Sequence, residues 1–155
     1  MPQYSAGILL FRRAPALEVL LAHPGGPYWS KKDEHAWSIP KGLREADEDA
    51  EAAARREFEE ETGRAVTEPL TPLGAFKQSS GKIIEAFALE AEFDLAAFKS
   101  NSFELEWPPR SGEFRSFPEA DRVAWFDLST AQQKIVKGQQ PILLALRQRF
   151  GHTTT

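Results

Sequence analysis

The segment from Gly42 to Arg64 constrains the fold of this chain most, because its middle has the pattern of a single well-defined helix. Residues 49–62 contain no glycine and no proline, and good helix formers fill their centre. Asp47 or Asp49 is suited to cap the start, and Gly63 is suited to a left-handed end. The pattern therefore predicts a helix over residues 49–62.

Three carboxylates share one side of this predicted helix. At about 100° per residue, Glu57, Glu60 and Glu61 fall within about one third of the circumference. Carboxylates at this spacing repel one another, and a solvated acidic face is the ordinary interpretation of such a cluster. Three alanines continue the same face, as in a helix packed closely against a sheet: Ala50, Ala53 and Ala54. The carboxylates would then converge on a pocket, where hard oxygen ligands suit Mg²⁺ or Mn²⁺ and a substrate phosphate.

Strands are predicted on both sides of the helix. Apolar and alternating runs predict extended structure at residues 3–11, 17–22, 37–39, 70–77, 82–93, 103–107 and 123–126, with a turn at 12–16. Other patterns predict a loop at 41–48, one helical turn at 94–99, and a helix at 129–150 in two pieces divided near 138–141. These elements together predict a single α+β domain over residues 1–155, with a mixed β-sheet between helices.

Composition excludes several classes of function. The chain has no cysteine, which excludes disulfides, thiolate catalysis and zinc sites built on cysteine. The histidines His23, His35 and His152 have no metal-ligand spacing. With 19 basic and 23 acidic residues, the net charge of -4 argues against non-specific nucleic-acid binding. No apolar run is long enough for a signal peptide or a membrane span, so we expect a cytoplasmic protein without membrane contact.

The acidic segment resembles the signature box of the Nudix hydrolases. Gly42, then Glu48 after five residues, then the run REFEEETG at residues 56–63 match the fixed positions of that box in identity and spacing. One position departs, because the box ordinarily has an aliphatic residue where this chain has Arg64. Val66 is suited to take over that core contact. The Nudix fold is itself a mixed sheet between helices, in agreement with the predicted class.

The resemblance implies hydrolysis of a nucleoside diphosphate linked to another moiety, with Mg²⁺ or Mn²⁺ as cofactor. The implied metal ligands are Glu57, Glu60, Glu61, the backbone carbonyl of Gly42, and Glu48 through water or a second ion. Arg56 would orient Glu57 by a charge-assisted hydrogen bond, whereas a simple i,i+4 pair with Glu60 is the structural alternative. Glu57, Arg56 and Glu60 are therefore the catalytic candidates.

A carboxylate base is also expected beside the metal, to take a proton from the attacking water. Glu57 is one candidate, and members of the family differ in which residue they use. Four downstream glutamates lie in the right region, although a glutamate at such a position is more often an ordinary surface residue: Glu104, Glu106, Glu113 and Glu119.

Two residues before the box are predicted to bind substrate. Residues 37–42 resemble the W-x-x-P-K-G entrance of members that cleave dinucleoside polyphosphates, messenger-RNA caps or diphosphoinositols. Lys41 would hold a phosphate as a point charge, or be an exposed loop lysine. Trp37 and the aromatic residues of the preceding loop could stack on a base, whereas packing is the more frequent role of such residues and is favoured for Trp37. Those loop residues are His23, Tyr28 and Trp29.

The sequence leaves the substrate open. A nucleoside triphosphate or a dinucleoside polyphosphate is expected, with the protein a monomer or homodimer. The tyrosine that diadenosine tetraphosphate hydrolases carry downstream of the box is missing, and Phe76 or Phe87 would have to substitute for it. The alternatives are cap or diphosphoinositol hydrolysis, a non-catalytic nucleotide-binding module, and a nucleic-acid-binding or partner-binding protein with an incidental acidic helix. The last predicts no dependence on divalent ions.

Overall fold

The computed structural model describes residues 3–13 and 15–151, so the remaining residues of the predicted domain, His152 among them, lie outside it. Within these residues there are eight strands and three helices. The strands are β1 (Tyr4–Arg13), β2 (Leu17–Pro24), β3 (Lys41–Leu43), β4 (Thr71–Lys77), β5 (Ile83–Glu90), β6 (Ser102–Glu106), β7 (Phe114–Pro118) and β8 (Ala120–Asp127). The helices are α1 (Ala50–Thr62), α2 (Leu128–Lys134) and α3 (Gln140–Phe150), with 3₁₀ turns at Leu95–Ala97 and Lys137–Gln139.

Six strands form one mixed sheet. Its order is β4-β5-β1-β2-β8, and β3 pairs with β1 beside this path. β1 and β5 run parallel from Tyr4 opposite Ile83 to Phe11 opposite Glu90, whereas the other pairs are antiparallel. β6 and β7 form a separate two-stranded hairpin. The prediction of an α+β fold with a mixed sheet is confirmed.

Alternate residues of β1 contribute to two cores, one on each face of the sheet. Ile8 and Leu10 belong to the core that contains the buried residues of α1, and Leu9 and Phe11 to the core that contains those of α2 and α3. All four side chains are at most 1% exposed. The sheet therefore lies between α1 on one side and α2 with α3 on the other.

Most predicted elements are present, and the differences have physical causes. Lys41–Leu43, predicted as part of a loop, forms β3 because it pairs with Ser5–Gly7 of β1, a contact that no local pattern shows. Phe114–Pro118, for which the pattern predicts no element, forms β7 by pairing with β6. The last helical region divides already at Ile135, which is extended at the end of α2. None of the helices in residues 3–13 and 15–151 combines the length and the apolar character that crossing a bilayer requires.

Candidate active site

Helix α1 presents its acidic residues beside the edge of the sheet where β3 lies. Asp49 caps the helix by accepting a hydrogen bond from the Ala52 amide, and Gly63 ends it in the left-handed conformation at φ 85°. Ala53, Ala54 and Phe58 are fully buried against the sheet. Because small side chains let the helix approach the sheet closely, the glutamates of its last two turns lie against the backbone of β3.

The backbone of β3 contacts two of the three predicted ligands. The Lys41 amide donates a hydrogen bond to Glu61 Oε2 at 3.0 Å. At Gly42, an added Cβ would lie 1.7 Å from Glu57 Oε1, so only glycine leaves room for this carboxylate. The glycine that opens the box pattern is therefore required for a close approach between strand and side chain.

Arg56 joins the acidic residues to one another. Its Nε and Nη2 donate to the two carboxylate oxygens of Glu48 at 2.8 and 2.9 Å, a bidentate pair. Its Nη1 donates to Glu57 Oε2 at 3.2 Å and to Glu60 Oε2 at 3.1 Å, and Nη2 also donates to the Leu43 carbonyl at 3.0 Å. The contact with Glu57 and the contact with Glu60, which are alternatives on sequence grounds, are thus present together.

These residues surround a cavity of about 540 Å³. Its walls are the segment from Lys41 to Glu45, the α1 residues Arg56, Glu57, Glu60 and Glu61, and Asn101, Ser102 and Glu119 at the base of the β6–β7 hairpin. The structure therefore brings together the predicted residues Lys41 and Gly42 with the acidic face of α1. Glu48 is joined to them through Arg56.

Trp37 is not brought to this cavity. Its side chain is 3% exposed and packs edge-on against Phe126 and His23, with ring centroids 4.9 and 5.1 Å away. Its Nε1 donates to Asp33 Oδ1 at 2.9 Å. Trp37 therefore packs in the core, which is the alternative to base stacking that the sequence left open.

The substitutes considered for the missing tyrosine pack in or against the cores, Phe87 buried and Phe76 partly buried. Phe87 is 8% exposed in the core under α1, and Phe76 packs against the core under α2 and α3. In these positions, neither ring faces the cavity.

The electrostatics of the cavity favour a bound cation. Burial, together with the neighbouring Glu60 carboxyl group, raises the pKa of Glu57 to about 7. Burial raises the pKa of Glu61 to about 8, against the opposing effect of Lys41. Glu48 behaves in the opposite way, because the hydrogen bonds from Arg56 lower its pKa to about 2. Negative charge at Glu57 and Glu61 is thus poorly compensated by the protein itself.

The donor set suits a hard divalent cation. Carboxylate oxygens from Glu57, Glu60 and Glu61 and the carbonyl of Gly42 are the ligand type that Mg²⁺ and Mn²⁺ prefer. In the described part of the chain, however, no three histidine, aspartate or glutamate side chains already converge as a metal-binding group. Arg56 Nη1 instead contacts one oxygen of Glu57 and one of Glu60. The residues fit the cation by chemistry and by their shared cavity.

Of the four downstream glutamates, the structure brings Glu119 to the cavity. The Glu119 amide donates to the Asn101 carbonyl at 2.7 Å, and its carbonyl accepts from Gly25 at 3.0 Å. Glu106 instead accepts hydrogen bonds from the amides of Arg110 and Gly112 in the hairpin tip. Asn101 and Ser102 also line the cavity and were not predicted, because contacts distant in sequence, such as the hydrogen bond from the Asn101 amide to the Glu60 carbonyl at 2.8 Å, place them there.

One protein-family model matches almost the whole chain. The model of the NUDIX domain matches residues 1–146. Among curated proteins, no sequence matches the chain.

Solved structures share the fold at low sequence identity. A C. elegans Ap4A hydrolase, in a binary complex, is 21% identical with a TM-score of 0.66 and covers 95% of this chain and 98% of its own. The NUDIX domain of Shewanella oneidensis NrtR, complexed with ADP ribose, is 16% identical with a TM-score of 0.67, covering 96% and 88%. A mutT/nudix family protein from Listeria innocua is 21% identical with a TM-score of 0.63, covering 97% and 96%.

Proposed function

The chain belongs to the NUDIX family of pyrophosphohydrolases, and from that premise we propose that it hydrolyses a nucleoside triphosphate or a dinucleoside polyphosphate with a divalent cation. One observation supports this most directly: Glu57, Glu60 and Glu61 share a 540 Å³ cavity with Lys41. Carboxylates for a cation and a lysine for a phosphate thus line the same space.

The proposed cofactor is Mg²⁺ or Mn²⁺. Glu57, Glu60, Glu61 and the carbonyl of Gly42 would hold it. Glu48 would contribute through water or a second ion, and it also accepts two hydrogen bonds from Arg56. When bound, such an ion neutralises charge on the pyrophosphate oxygens and makes a water molecule nucleophilic. Arg56 is anchored by both oxygens of Glu48, so it can orient Glu57 and Glu60 from a fixed position.

Two carboxylates that line the cavity are candidates to accept the proton of the attacking water. Glu57 lies against Gly42 and Arg56, and Glu119 faces the same cavity from the base of the hairpin. A general base needs to lie within hydrogen-bonding reach of the water, and both residues border the space that the substrate would occupy. We therefore propose Glu57 and Glu119 as the candidates for this role, to be separated by mutation.

Lys41 and Trp37 would act on the substrate in different ways. Lys41 lines the cavity, and burial lowers the pKa of its ammonium group, so a phosphate nearby would stabilise the charged form. Trp37 packs in the core, and its amide and carbonyl pair with Lys134 and Val136. We propose that Trp37 fixes the segment leading to Lys41, and that it contributes to substrate binding through that segment.

The test is a panel of nucleoside triphosphates, dinucleoside polyphosphates, nucleotide sugars and capped RNA. Each substrate is incubated with Mg²⁺, with Mn²⁺ and with chelator, beside the Glu61→Gln variant. Metal-dependent release of a nucleoside monophosphate, lost in the variant, is the expected result. No turnover with any substrate, while metal still binds, would contradict the proposal and favour a nucleotide-binding module. The cytoplasmic location and the monomeric or homodimeric state stay predictions.

A further inference from the structure

A second cavity borders the first one and is not lined by Glu61. Its volume is about 440 Å³, and it is lined by Gln3, Tyr4, Leu43, Arg44, Glu45 and Ala46. Leu43, Arg44 and Glu45 line both cavities, so the two cavities are neighbours that meet at this segment. The mechanism described above uses neither Tyr4 nor Gln3.

The walls of this cavity combine exposed apolar side chains with polar groups that are held in place. Tyr4 is 41% exposed and Leu43 is 52% exposed, although both belong to strands of the central sheet. The Arg44 amide donates to the Tyr4 carbonyl at 2.9 Å. The Arg44 guanidinium donates to the Glu48 carbonyl at 2.8 Å and to Glu85 Oε2 at 3.0 Å. The tyrosine therefore stands beside a rigid edge of the candidate active site.

We propose that this second cavity binds the nucleoside part of the substrate, with the base against the Tyr4 ring. The inference rests on the proposed function, because it requires a nucleotide whose phosphates lie in the first cavity. Every nucleobase has a flat face that stacks on an aromatic ring, and Gln3 adds an amide that can donate and accept hydrogen bonds.

Another cavity that borders the first one is less suited to a base. It shares Lys41, Glu61 and Glu119 with the first cavity, has a volume of about 210 Å³, and is bordered by the fully buried His23. Sites for small organic ligands ordinarily measure about 300–1,000 Å³, which includes the cavity at Tyr4 and excludes this one. The substrate is thus oriented with its nucleoside toward Tyr4 and its phosphates toward Lys41.

The test separates base binding from phosphate binding. Steady-state hydrolysis of adenosine triphosphate is measured for the wild type and for Tyr4→Ala and Tyr4→Phe, with inorganic tripolyphosphate as a competing inhibitor that has no base. Tyr4→Ala should raise KM about tenfold with kcat within about twofold, because stacking is lost. The inhibition constant of tripolyphosphate should not change, and Tyr4→Phe, which keeps the ring, should behave as the wild type.

The chain offers a matched comparison, because Tyr28 is its second and last tyrosine and is 58% exposed. Tyr28 lies against Trp107 of the hairpin, with ring centroids 5.3 Å apart. Tyr28→Ala should leave KM unchanged. If KM rises for Tyr28→Ala and not for Tyr4→Ala, or if tripolyphosphate inhibition weakens together with KM in Tyr4→Ala, the inference is overturned.

A direct binding measurement keeps this inference distinct from the proposed function. Nuclear magnetic resonance saturation transfer is recorded with an equimolar mixture of adenosine, guanosine, cytidine and uridine monophosphates. Base protons should receive magnetisation in the wild type and in Tyr28→Ala, and much less in Tyr4→Ala. Transfer that is equal in all three proteins overturns the inference even if hydrolysis is found. Absent hydrolysis with the expected transfer pattern would refute the proposed function alone.

Discussion

Replacement of Gly42 by alanine should separate catalysis from stability more cleanly than any change to an acidic residue. The new Cβ would lie 1.7 Å from Glu57 Oε1 and 2.3 Å from Oε2. Ordinary contact begins at 3.4 Å, so the carboxylate would have to withdraw by about 1.7 Å. Displacing a positioned catalytic group by about 1 Å can cost about a hundredfold in rate, so kcat should fall by at least about that factor.

The free energy of unfolding should change little in the same variant. The atoms in conflict are the far end of the flexible Glu57 side chain, which can rotate away without moving the backbone. Alanine also restricts the unfolded chain more than glycine, and stabilises a strand by about 0.5–1 kcal/mol where it fits. Thermal unfolding of Gly42→Ala should therefore give a free energy within about 1 kcal/mol of the wild type.

Gly138 provides the matched control for this prediction. An added Cβ there would lie 2.4 Å from Gln78 Oε1, again the end of a flexible side chain, but outside the cavity. Gly138→Ala should therefore keep both activity and stability. Gly42→Ala with kcat within about threefold of the wild type would refute the reasoning, since 1.7 Å of displacement would then be harmless. Loss of activity in parallel with loss of folded protein would refute it as well.

Four other predictions concern charge and metal. Glu60→Gln and Glu61→Gln should each abolish turnover while nucleotide binding, measured by calorimetry, partly remains; turnover that survives in both would contradict the metal-site assignment. Arg56→Lys should lower kcat/KM about tenfold or more, because lysine keeps the charge but cannot form the bidentate pair, and full activity would count against a positioning role. Chelator should stop hydrolysis, and added Mg²⁺ or Mn²⁺ should restore it. Glu68 has its pKa lowered to about 2 by the hydrogen bonds from Arg64, so the small stabilisation from this partly exposed pair is present above about pH 4.5 and lost as the pH falls to 2. The difference in melting temperature between wild type and Glu68→Gln should therefore shrink over that window, and a difference that grows on acidification would contradict the assignment.

The helix that carries the acidic residues could be predicted from sequence because its signals are local. Asp49, Gly63 and the buried Ala53 and Ala54 act within the helix or one residue beyond it, and all four have the expected places. The strand Lys41–Leu43 could not be predicted in this way. Three residues with a lysine and a glycine have no strand pattern of their own, and their extended form depends on β1, more than 30 residues earlier in the chain.

In the candidate site, too, features set by local sequence could be predicted and features set by distant contacts could not. Spacing along one helix is enough to group Glu57, Glu60 and Glu61, because helix geometry relates them directly. Glu119 could not be distinguished from the other downstream glutamates, because its place depends on the closure of the hairpin against Asn101 and Gly25. The bidentate contact between Arg56 and Glu48 likewise depends on the path of the loop before α1, for which the sequence pattern gives no geometry.

The hairpin described above also determines where the length of this chain can change. Within the described residues, β6 and β7 form a sheet of their own, tied at its base by the bonds of Glu119 with Asn101 and Gly25. Insertions or deletions at the tip, residues 107–113, leave the register of the six-stranded sheet and the position of Glu119 unchanged. Doubling the length of a flexible loop costs only about 0.6 kcal/mol. Variants selected for activity on new substrates should therefore tolerate changes of length at the hairpin tip. Insertions or deletions at the two ends of the hairpin, near Asn101 and Glu119, should be selected against.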